Sequence, residues 1–262
     1  MEPIIDHHKI KLLRFYYFEE NLKKMKNKFL LVLAISGLLA VTACKKRNLD
    51  IDGDVYGCMD SLSLNFNPDA TLDDGSCEYP DVYLPLAPGN TWDLATTFTF
   101  LTQNIDIFYN IEMTKDTTID GMDYVISEEA MSAGSFINET TRYAYRQDPD
   151  GNVYRIDLSD QDLITSKILS YPLEIGNSWY DTEAQDNILC EVIGITQVSV
   201  PAGTFSDVSE IKYTVLDNAQ ESRIYYAKDV GIIKVSIEID LSMLGQGNIS
   251  LEPELESYNI VN

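Results

Sequence analysis

Histidine is almost missing from this chain, and so are the short motifs that mark common enzyme classes. The 262 residues contain only two histidines, His7 and His8, which are neighbours near the N-terminus. Ser-His-Asp or Cys-His catalysis and histidine-ligated zinc or iron sites need an imidazole in the folded domain. The sequence also lacks a G-x-S-x-G elbow, a P-loop and a dinucleotide-binding fingerprint. We therefore expect no enzyme activity and no organic cofactor.

Positive charge is scarce as well. The chain has 19 Lys and Arg against 42 Asp and Glu, for a net charge of -23. A nucleic-acid partner is excluded, because phosphate binding needs clustered Lys and Arg. We interpret the acidic excess as a solubility feature rather than as a binding surface.

Long hydrophobic runs are limited to one, at residues 29–43. It is short for the roughly 20 apolar residues of a spanning helix, so a single-span anchor is the weaker interpretation. The run follows a basic start at Met25 and precedes small residues and Cys44, in MKNKFLLVLAISGLLAVTAC. This pattern resembles the signal of a bacterial lipoprotein, with Val41 to Cys44 as the lipobox. The resemblance implies cleavage before Cys44 and acylation of that residue, and hence a lipid anchor in the outer membrane.

The lipoprotein resemblance divides the N-terminal part of the chain. Residues 1–24 are then an over-long start, residues 25–43 a signal peptide that forms an N-terminal signal helix, and residues 44–56 a linker. Removal of residues 1–43 leaves no histidine, with 12 basic and 38 acidic residues and a net charge of -26. The anchored protein faces either the periplasm or the cell exterior.

Cysteine is used sparingly, with four in the chain. Cys58 and Cys77 are close in sequence, and a disulfide closing this loop of about 20 residues would stabilise it by roughly 3 kcal/mol. The segment needs such a bond because it has too few large apolar side chains for a core of its own. Cys190 lies in the alternating stretch NILCEVIGIT, which predicts a buried, inert thiol.

The segment that contains Cys58 and Cys77, residues 57–79, is rich in oxygen-bearing side chains. Calcium takes six to eight oxygen ligands, although the spacing here does not match an EF-hand loop. In the alternative interpretation, Asn and Asp cap turns in a stapled spacer. The candidate metal ligands are Asp60, Asn65, Asn67, Asp69, Asp73 and Asp74. The stretch NLDIDGD just before them adds Asp50, Asp52 and Asp54, which either share an ion with the segment or belong to a solvated linker.

Residues 57–77, GCMDSLSLNFNPDATLDDGSC, also carry a family resemblance. The pattern GC-x-D, N-x-N-P-x-A and D-D-G-S-C resembles a short Cys-flanked acidic module that is repeated in many surface proteins of the Bacteroidetes. It is loosely similar to one thrombospondin type 3 calcium repeat. The resemblance implies no enzyme activity.

Residues 80–262 contain an internal repeat and read as β-strands. PLAPGNTW at residues 85–92 recurs as PLEIGNSW at residues 172–179, and the two copies hold both tryptophans of the chain. The stretches that follow are rich in β-branched and aromatic residues, and DPDGN at 148–152 and KDVG at 228–231 predict hairpin turns. We predict a mainly β fold, a curved antiparallel sheet or open β-barrel, preceded by the stapled module. Only QDLITSKILSYPL is compatible with a single helical turn.

The β-domain carries a second resemblance, in pieces between residues 85 and 239. PLEIGNSWY, VSVPAGTFSDVSEIKY and IYYAKDVGIIKVSIEI resemble the recurrent pattern of the DUF3108-like group of periplasmic and surface β-proteins. The resemblance implies a periplasmic or surface β-domain. The motif residues Trp179, Pro201, Gly203 and Gly231 also fit turns, strand starts and a core aromatic without any site.

Three functions are compatible with this sequence. A non-catalytic binding module for a lipid, glycan or peptide predicts a cavity lined by strand aromatics, whereas a structural or assembly component of the outer membrane predicts that the same aromatics fill the core. These aromatics are Phe98, Phe100, Phe108, Tyr109, Tyr143, Tyr145, Tyr225 and Tyr226. The third function, a hydrolase, would use a carboxylate pair such as Asp157 with Asp160 or Glu128 with Glu129, but sequence neighbours do not report spatial separation.

Overall fold

The computed structural model describes residues 53–100, 102–135, 137–159, 163–181, 188–216, 220–240 and 248–261. The expected signal peptide, lipobox and Cys44, together with Asp50 and Asp52, lie outside the described residues. The described part consists of strands and turns, with no helix. The strands are β1 Tyr56–Gly57, β2 Leu72–Asp73, β3 Thr91–Phe100, β4 Gln103–Ile119, β5 Met122–Ala133, β6 Ile137–Gln147, β7 Val153–Asp157, β8 Thr165–Leu169, β9 Ser178–Tyr180, β10 Ile188–Val200, β11 Gly203–Val215, β12 Gln220–Ala227, β13 Gly231–Asp240, β14 Asn248–Leu251 and β15 Glu254–Asn259.

Thirteen of these strands form one antiparallel, nearly closed, barrel-like sheet, as the sequence predicted. Its order is β8-β7-β6-β5-β4-β3-β15-β13-β12-β11-β10-β9, with β14 paired to β13. Strands that follow each other in the chain are neighbours throughout two meanders, β3 to β8 and β9 to β13. Strand β15 lies between β3 and β13 and joins the two meanders.

Alternation of buried and exposed residues explains why these segments form strands. In β4, Ile107, Tyr109, Ile111 and Met113 are buried, and the residues between them are exposed. Side chains on a strand point to opposite faces in turn, so this pattern buries one face and leaves the other in water. Phe108 is the exception, an aromatic residue on the outer face with 49% exposure.

The first copy of the internal repeat forms a turn that is bonded to β4. Gly89 adopts a φ of 96°, which favours glycine, and its N–H donates to the carbonyl of Met113 at 2.7 Å. The N–H of Met113 donates back to the carbonyl of Asn90 at 2.9 Å. The Asn90 amide also donates to the carbonyl of Pro85 at 2.9 Å, which closes the turn that leads into β3.

The second copy repeats every one of these bonds. Gly176 has a φ of 91°, and its N–H donates to the carbonyl of Val192 at 2.9 Å. The N–H of Val192 donates back to Asn177 at 2.9 Å, and the Asn177 amide donates to the carbonyl of Pro172 at 2.7 Å. The sequence repeat is therefore also a structural repeat. In each meander, the same turn precedes the first strand and is hydrogen-bonded to the second strand, β4 or β10.

The tryptophan that ends each copy is buried and donates its indole N–H to a distant carbonyl. Trp92 donates to Val230 at 2.6 Å, and a Cβ at Gly231 would lie 2.7 Å from the same indole nitrogen. Trp179 donates to Lys167 at 3.1 Å. Trp92 thereby joins β3 to the turn before β13, whereas Trp179 joins β9 to β8, the two outermost strands of the sheet.

The hairpin turns are where the sequence predicted them, and the helical turn is not. Residues 148–152 connect β6 to β7, and residues 228–230 connect β12 to β13. The helical turn considered for QDLITSKILSYPL is wrong, because Thr165–Leu169 within it forms β8. Pairing with β7 supplies backbone partners that an isolated helical turn would lack.

Candidate functional site

The Cys58–Cys77 disulfide is present, so the stapled module exists as predicted. Cys58 is buried, and around it the chain forms turns and one short parallel bridge between β1 and β2. The N–H of Asn67 donates to the carbonyl of Cys58 at 2.9 Å. We call residues 57–79 the Cys module.

Five of the six candidate metal ligands of the Cys module, all but Asp69, accept hydrogen bonds from its own backbone. Asp60 Oδ1 accepts from the N–H of Leu62 at 2.9 Å, and Asn65 Oδ1 accepts from the N–H of Glu78, also at 2.9 Å. Three further side chains, each accepting from the N–H two residues ahead in an Asx turn, are Asn67, Asp73 and Asp74. These contacts are the turn-capping role that was the alternative to calcium binding.

Two of these carboxylates, Asp60 and Asp74, have lowered pKa values. A hydrogen bond from the Tyr79 hydroxyl, at 2.6 Å, and the N–H of Leu62 lower the pKa of Asp60. Hydrogen bonds from the side chain and N–H of Ser76 lower the pKa of Asp74. Within the described residues, no group of three or more His, Cys, Asp or Glu side chains is placed to hold a metal ion. Calcium binding by the Cys module, which would also use Asn oxygens, stays a prediction.

A second group of polar side chains lies buried inside the sheet, centred on Glu129 of β5. Its carboxylate accepts hydrogen bonds from the hydroxyls of Tyr109, of Tyr145 at 2.6 Å and of Ser127 at 3.2 Å. The four residues come from three adjacent strands and are all buried. We call these four residues the Glu129 cluster.

Aromatic rings and one arginine extend the Glu129 cluster across β6 and β7. The Tyr143 and Tyr145 rings meet edge to face with centroids 6.3 Å apart. The guanidinium of the buried Arg155 lies 4.4 Å from the centroid of the Tyr143 ring. Burial, reinforced by the charge of Glu129, raises the pKa of Tyr109 and Tyr145 well above the ordinary value. Burial raises the pKa of Tyr143 to about 12, although Arg155 opposes this shift.

Of the carboxylate pairs considered for a hydrolase, Glu128 and Glu129 do not face each other. Glu128 and Glu129 are consecutive on β5 and therefore point to opposite faces. Glu128 is exposed and forms an ion pair with Arg142 at 3.6 Å, whereas Glu129 is buried. Asp160 lies outside the described residues, so the pair with Asp157 is not described.

The eight strand aromatics divide by environment. Those that are buried are Tyr109, Tyr143, Tyr145 and Tyr226. Phe98 and Tyr225 are half-buried, Phe108 is exposed, and the side chain of Phe100 lies outside the described residues. In the sequence, the buried aromatics are marked by their place in an alternating pattern. Tyr109, for example, alternates with exposed neighbours in β4.

Residues near the join between β8 and β9 include two more buried titratable groups. Asp181, directly after β9, is 3% exposed, and burial raises the pKa of its carboxyl group. Among the described residues, its Oδ1 has no hydrogen-bond partner. Cys190 is a free, buried thiol, as expected, and burial raises its pKa. The burial of Cys190 was predicted from the sequence, whereas that of Asp181 and Arg155 was missed. The sequence of a single strand does not reveal which of its charged residues the neighbouring strands will cover.

The described residues thus define an all-β protein with a disulfide-stapled module and a polar cluster inside a barrel-like antiparallel sheet. No helix within the described residues is long and apolar enough to cross a membrane. No family model matches the chain, and no curated protein matches it. The resemblance of residues 85–239 to the DUF3108-like group therefore stays a prediction.

Two solved structures are similar to this chain. One is a candidate exported protein with a YmcC-like fold from Bacteroides fragilis, with 13% identity, a TM-score of 0.45, and coverage of 69% of this chain and 100% of that one. The other is a candidate lipoprotein from Parabacteroides distasonis, with 13% identity, a TM-score of 0.42, and coverage of 70% of this chain and 100% of that one.

Proposed function

We propose that this chain is a lipid-anchored protein of the bacterial cell envelope, held in the outer membrane through Cys44 and acting without catalysis. The observation that carries the proposal is the Cys58–Cys77 disulfide, whose first cysteine lies 14 residues after Cys44 of the lipobox-like sequence. Disulfides persist in oxidising compartments outside the cytoplasm, so the bond agrees with an exported chain. The lipobox and the disulfide are independent features of the sequence that support the same location.

For the role of the sheet, the geometry favours a structural or assembly component. Tyr109, Tyr143, Tyr145 and Tyr226 are buried, and the hydroxyls of Tyr109 and Tyr145 bond to Glu129. Aromatic side chains that are buried, with hydroxyls satisfied by a neighbouring carboxylate, support the filled interior that a structural role requires.

A binding module for a lipid, glycan or peptide is the second candidate, and one observation favours it. Glu129, Arg155 and Asp181 are all buried, and burying charged groups is costly unless each is paired. Asp181 Oδ1 has no partner among the described residues. An interior with converging charged groups suits a polar ligand better than a hydrocarbon chain.

Mass spectrometry of the protein extracted from membranes tests the anchor and the role of the sheet together. Under denaturing conditions, we expect a chain that begins at Cys44 and carries acyl chains, and a Cys44→Ala variant without them. An unprocessed wild-type chain would refute the anchor. Under native conditions, a bare mass supports the structural role, whereas a retained small molecule supports the binding module. A mass increment that EDTA removes would identify a bound divalent cation. If the Cys module holds calcium, the same mass increment should be absent from a variant that carries Asp73→Asn and Asp74→Asn.

A further inference from the structure

Large hydrophobic side chains are exposed far more densely on the Cys module than on the sheet. Seven of the 17 exposed large hydrophobic residues in the described part of the chain lie between Tyr56 and Tyr79. They are Tyr56, Met59, Leu62, Leu64, Phe66, Leu72 and Tyr79. On the sheet such residues are spread over many strands, which is ordinary for a soluble surface. A concentration of this kind in one small module indicates an interaction surface.

Hydrogen bonds and one strand pairing bring several of these residues close to one another. Leu62 and Tyr79 flank one carboxylate, because the N–H of Leu62 and the hydroxyl of Tyr79 both donate to Asp60. The N–H of Leu64 donates to the carbonyl of Glu78, the residue before Tyr79. Tyr56 and Leu72 are directly paired in the parallel bridge. We call Tyr56, which directly precedes the Cys module, and the six residues within it the apolar surface of the Cys module.

The length of the connection to Cys44 points to what covers this surface. Only eight residues, 45–52, separate Cys44 from the first described residue. A fully extended chain of that length spans at most about 29 Å. If Cys44 carries acyl chains, the apolar surface is therefore held within reach of the lipid bilayer and meets it at a high effective concentration.

Charge decides which kind of membrane suits the Cys module. Between residues 48 and 114 the sequence contains no Lys or Arg, and the module itself carries Asp60, Asp69, Asp73, Asp74 and Glu78. These carboxylates are repelled by anionic headgroups but not by zwitterionic ones. The basic residues Lys45, Lys46 and Arg47 lie on the tether rather than in the module.

We propose that the apolar surface of the Cys module inserts into the headgroup region of the zwitterionic membrane that holds the Cys44 lipid. The proposal rests on the anchor proposed above. Leu, Phe and Tyr side chains are the types that enter the interface between headgroups and acyl chains. The Cys module is then a second membrane contact that sets the distance of the sheet from the bilayer, rather than a passive spacer.

Fluorescence quenching by brominated lipid tests this contact in the full, acylated protein. The native Trp92 and Trp179 are buried and provide a constant background. Leu62→Trp adds an indole on the apolar surface, and Ile195→Trp adds a matched indole at an exposed aliphatic position on β10. Phe66→Trp is a second probe in case Leu62→Trp perturbs the fold. Each variant is reconstituted into phosphatidylcholine vesicles with brominated acyl chains, and flotation of the vesicles reports anchoring.

We expect all variants to float with the vesicles, and the emission added at positions 62 and 66 to be quenched while that at position 195 is not. Addition of phosphatidylglycerol to the vesicles should reduce the quenching. If the proteins float but positions 62 and 66 are no more quenched than position 195, the membrane contact is refuted while the anchor stands, and a protein partner becomes the candidate occupant. If acylated protein does not float, the anchor itself is refuted and this proposal fails with it.

Discussion

The indole N–H of Trp179 donates to the carbonyl of Lys167 at 3.1 Å, and this bond joins β9 to β8, the two ends of the strand order. Tyr213 of β11 makes a similar contact, since its hydroxyl donates to the carbonyl of Ile168 at 3.2 Å. Within the part of the chain that the structure describes, no strand pairing links β8 to β9. Side chains therefore close the sheet where backbone ladders do not.

Trp179→Phe should lower the free energy of unfolding by about 1 kcal/mol, because it removes one hydrogen bond while keeping most of the buried ring. Urea denaturation followed by circular dichroism measures the change. Tyr180→Phe, at the exposed neighbouring position, is the control and should leave the stability unchanged. Equal stability of Trp179→Phe and the wild type would show that this contact does not hold the two strands together.

Glu129→Ala should destabilise the protein by roughly 2–4 kcal/mol, because it leaves the buried hydroxyls of Tyr109 and Tyr145 without their acceptor. Adding Tyr109→Phe and Tyr145→Phe to Glu129→Ala should recover part of that loss, since the unsatisfied hydroxyls are then gone. Glu128→Ala on the exposed face is the matched control, with an expected change below about 1 kcal/mol. If Glu128→Ala and Glu129→Ala cost the same in urea titrations, the Glu129 cluster is not a stabilising element.

Alkaline pH should destabilise the fold through its buried tyrosines. Burial raises the pKa of Tyr143 and of Tyr226 to about 12, so the folded state keeps protons that the unfolded chain releases near pH 10. Above pH 10 the unfolded state binds fewer protons than the folded state, and the free energy of unfolding therefore falls as pH rises towards 12. Urea titrations at pH 8, 10 and 11 measure this slope.

Tyr226→Phe is the control for the alkaline effect. The substitution removes a buried hydroxyl with a raised pKa. The free energy of unfolding should therefore fall less steeply above pH 10 than in the wild type. A slope that does not change in Tyr226→Phe would assign the alkaline loss to other groups.

Loss of the Cys58–Cys77 bond should unfold the Cys module locally, because the chain-entropy model assigns about 3 kcal/mol to a loop of this length. Limited proteolysis of Cys58→Ala/Cys77→Ala should give new cuts between residues 59 and 76, with the sheet still resistant. Cys190→Ala removes a buried free thiol and should show no new cuts there. Resistance of the module without its disulfide would mean that its turns suffice.

The sequence predicted the parts of this structure that depend on local pattern. Alternation in β4, the hairpin turns and the repeated Gly-Asn-x-Trp turns are encoded within a few residues. The position of β15 between β3 and β13 was not predictable from local pattern. Strand β15 pairs with β3, which lies more than 140 residues earlier in the chain, and with β13, which lies about 20 residues earlier. The Glu129 cluster was missed for a different reason, which is strand register. Glu128 and Glu129 look alike in sequence, and only the register of β5 against β4 and β6 decides which of them is buried.

The location of β15 has a consequence for the order in which the sheet can form. Every other strand of the large sheet can pair with a strand next to it in the chain as soon as both have emerged, so the two meanders can form one after the other. The register of Trp92 with Tyr258 cannot form until nearly all of the described chain is available. While the chain is being synthesised from its N-terminus, the two half-sheets therefore stay unjoined until β15 is complete. Open strand edges of this kind can pair with other chains, so this interval is the one most exposed to aggregation.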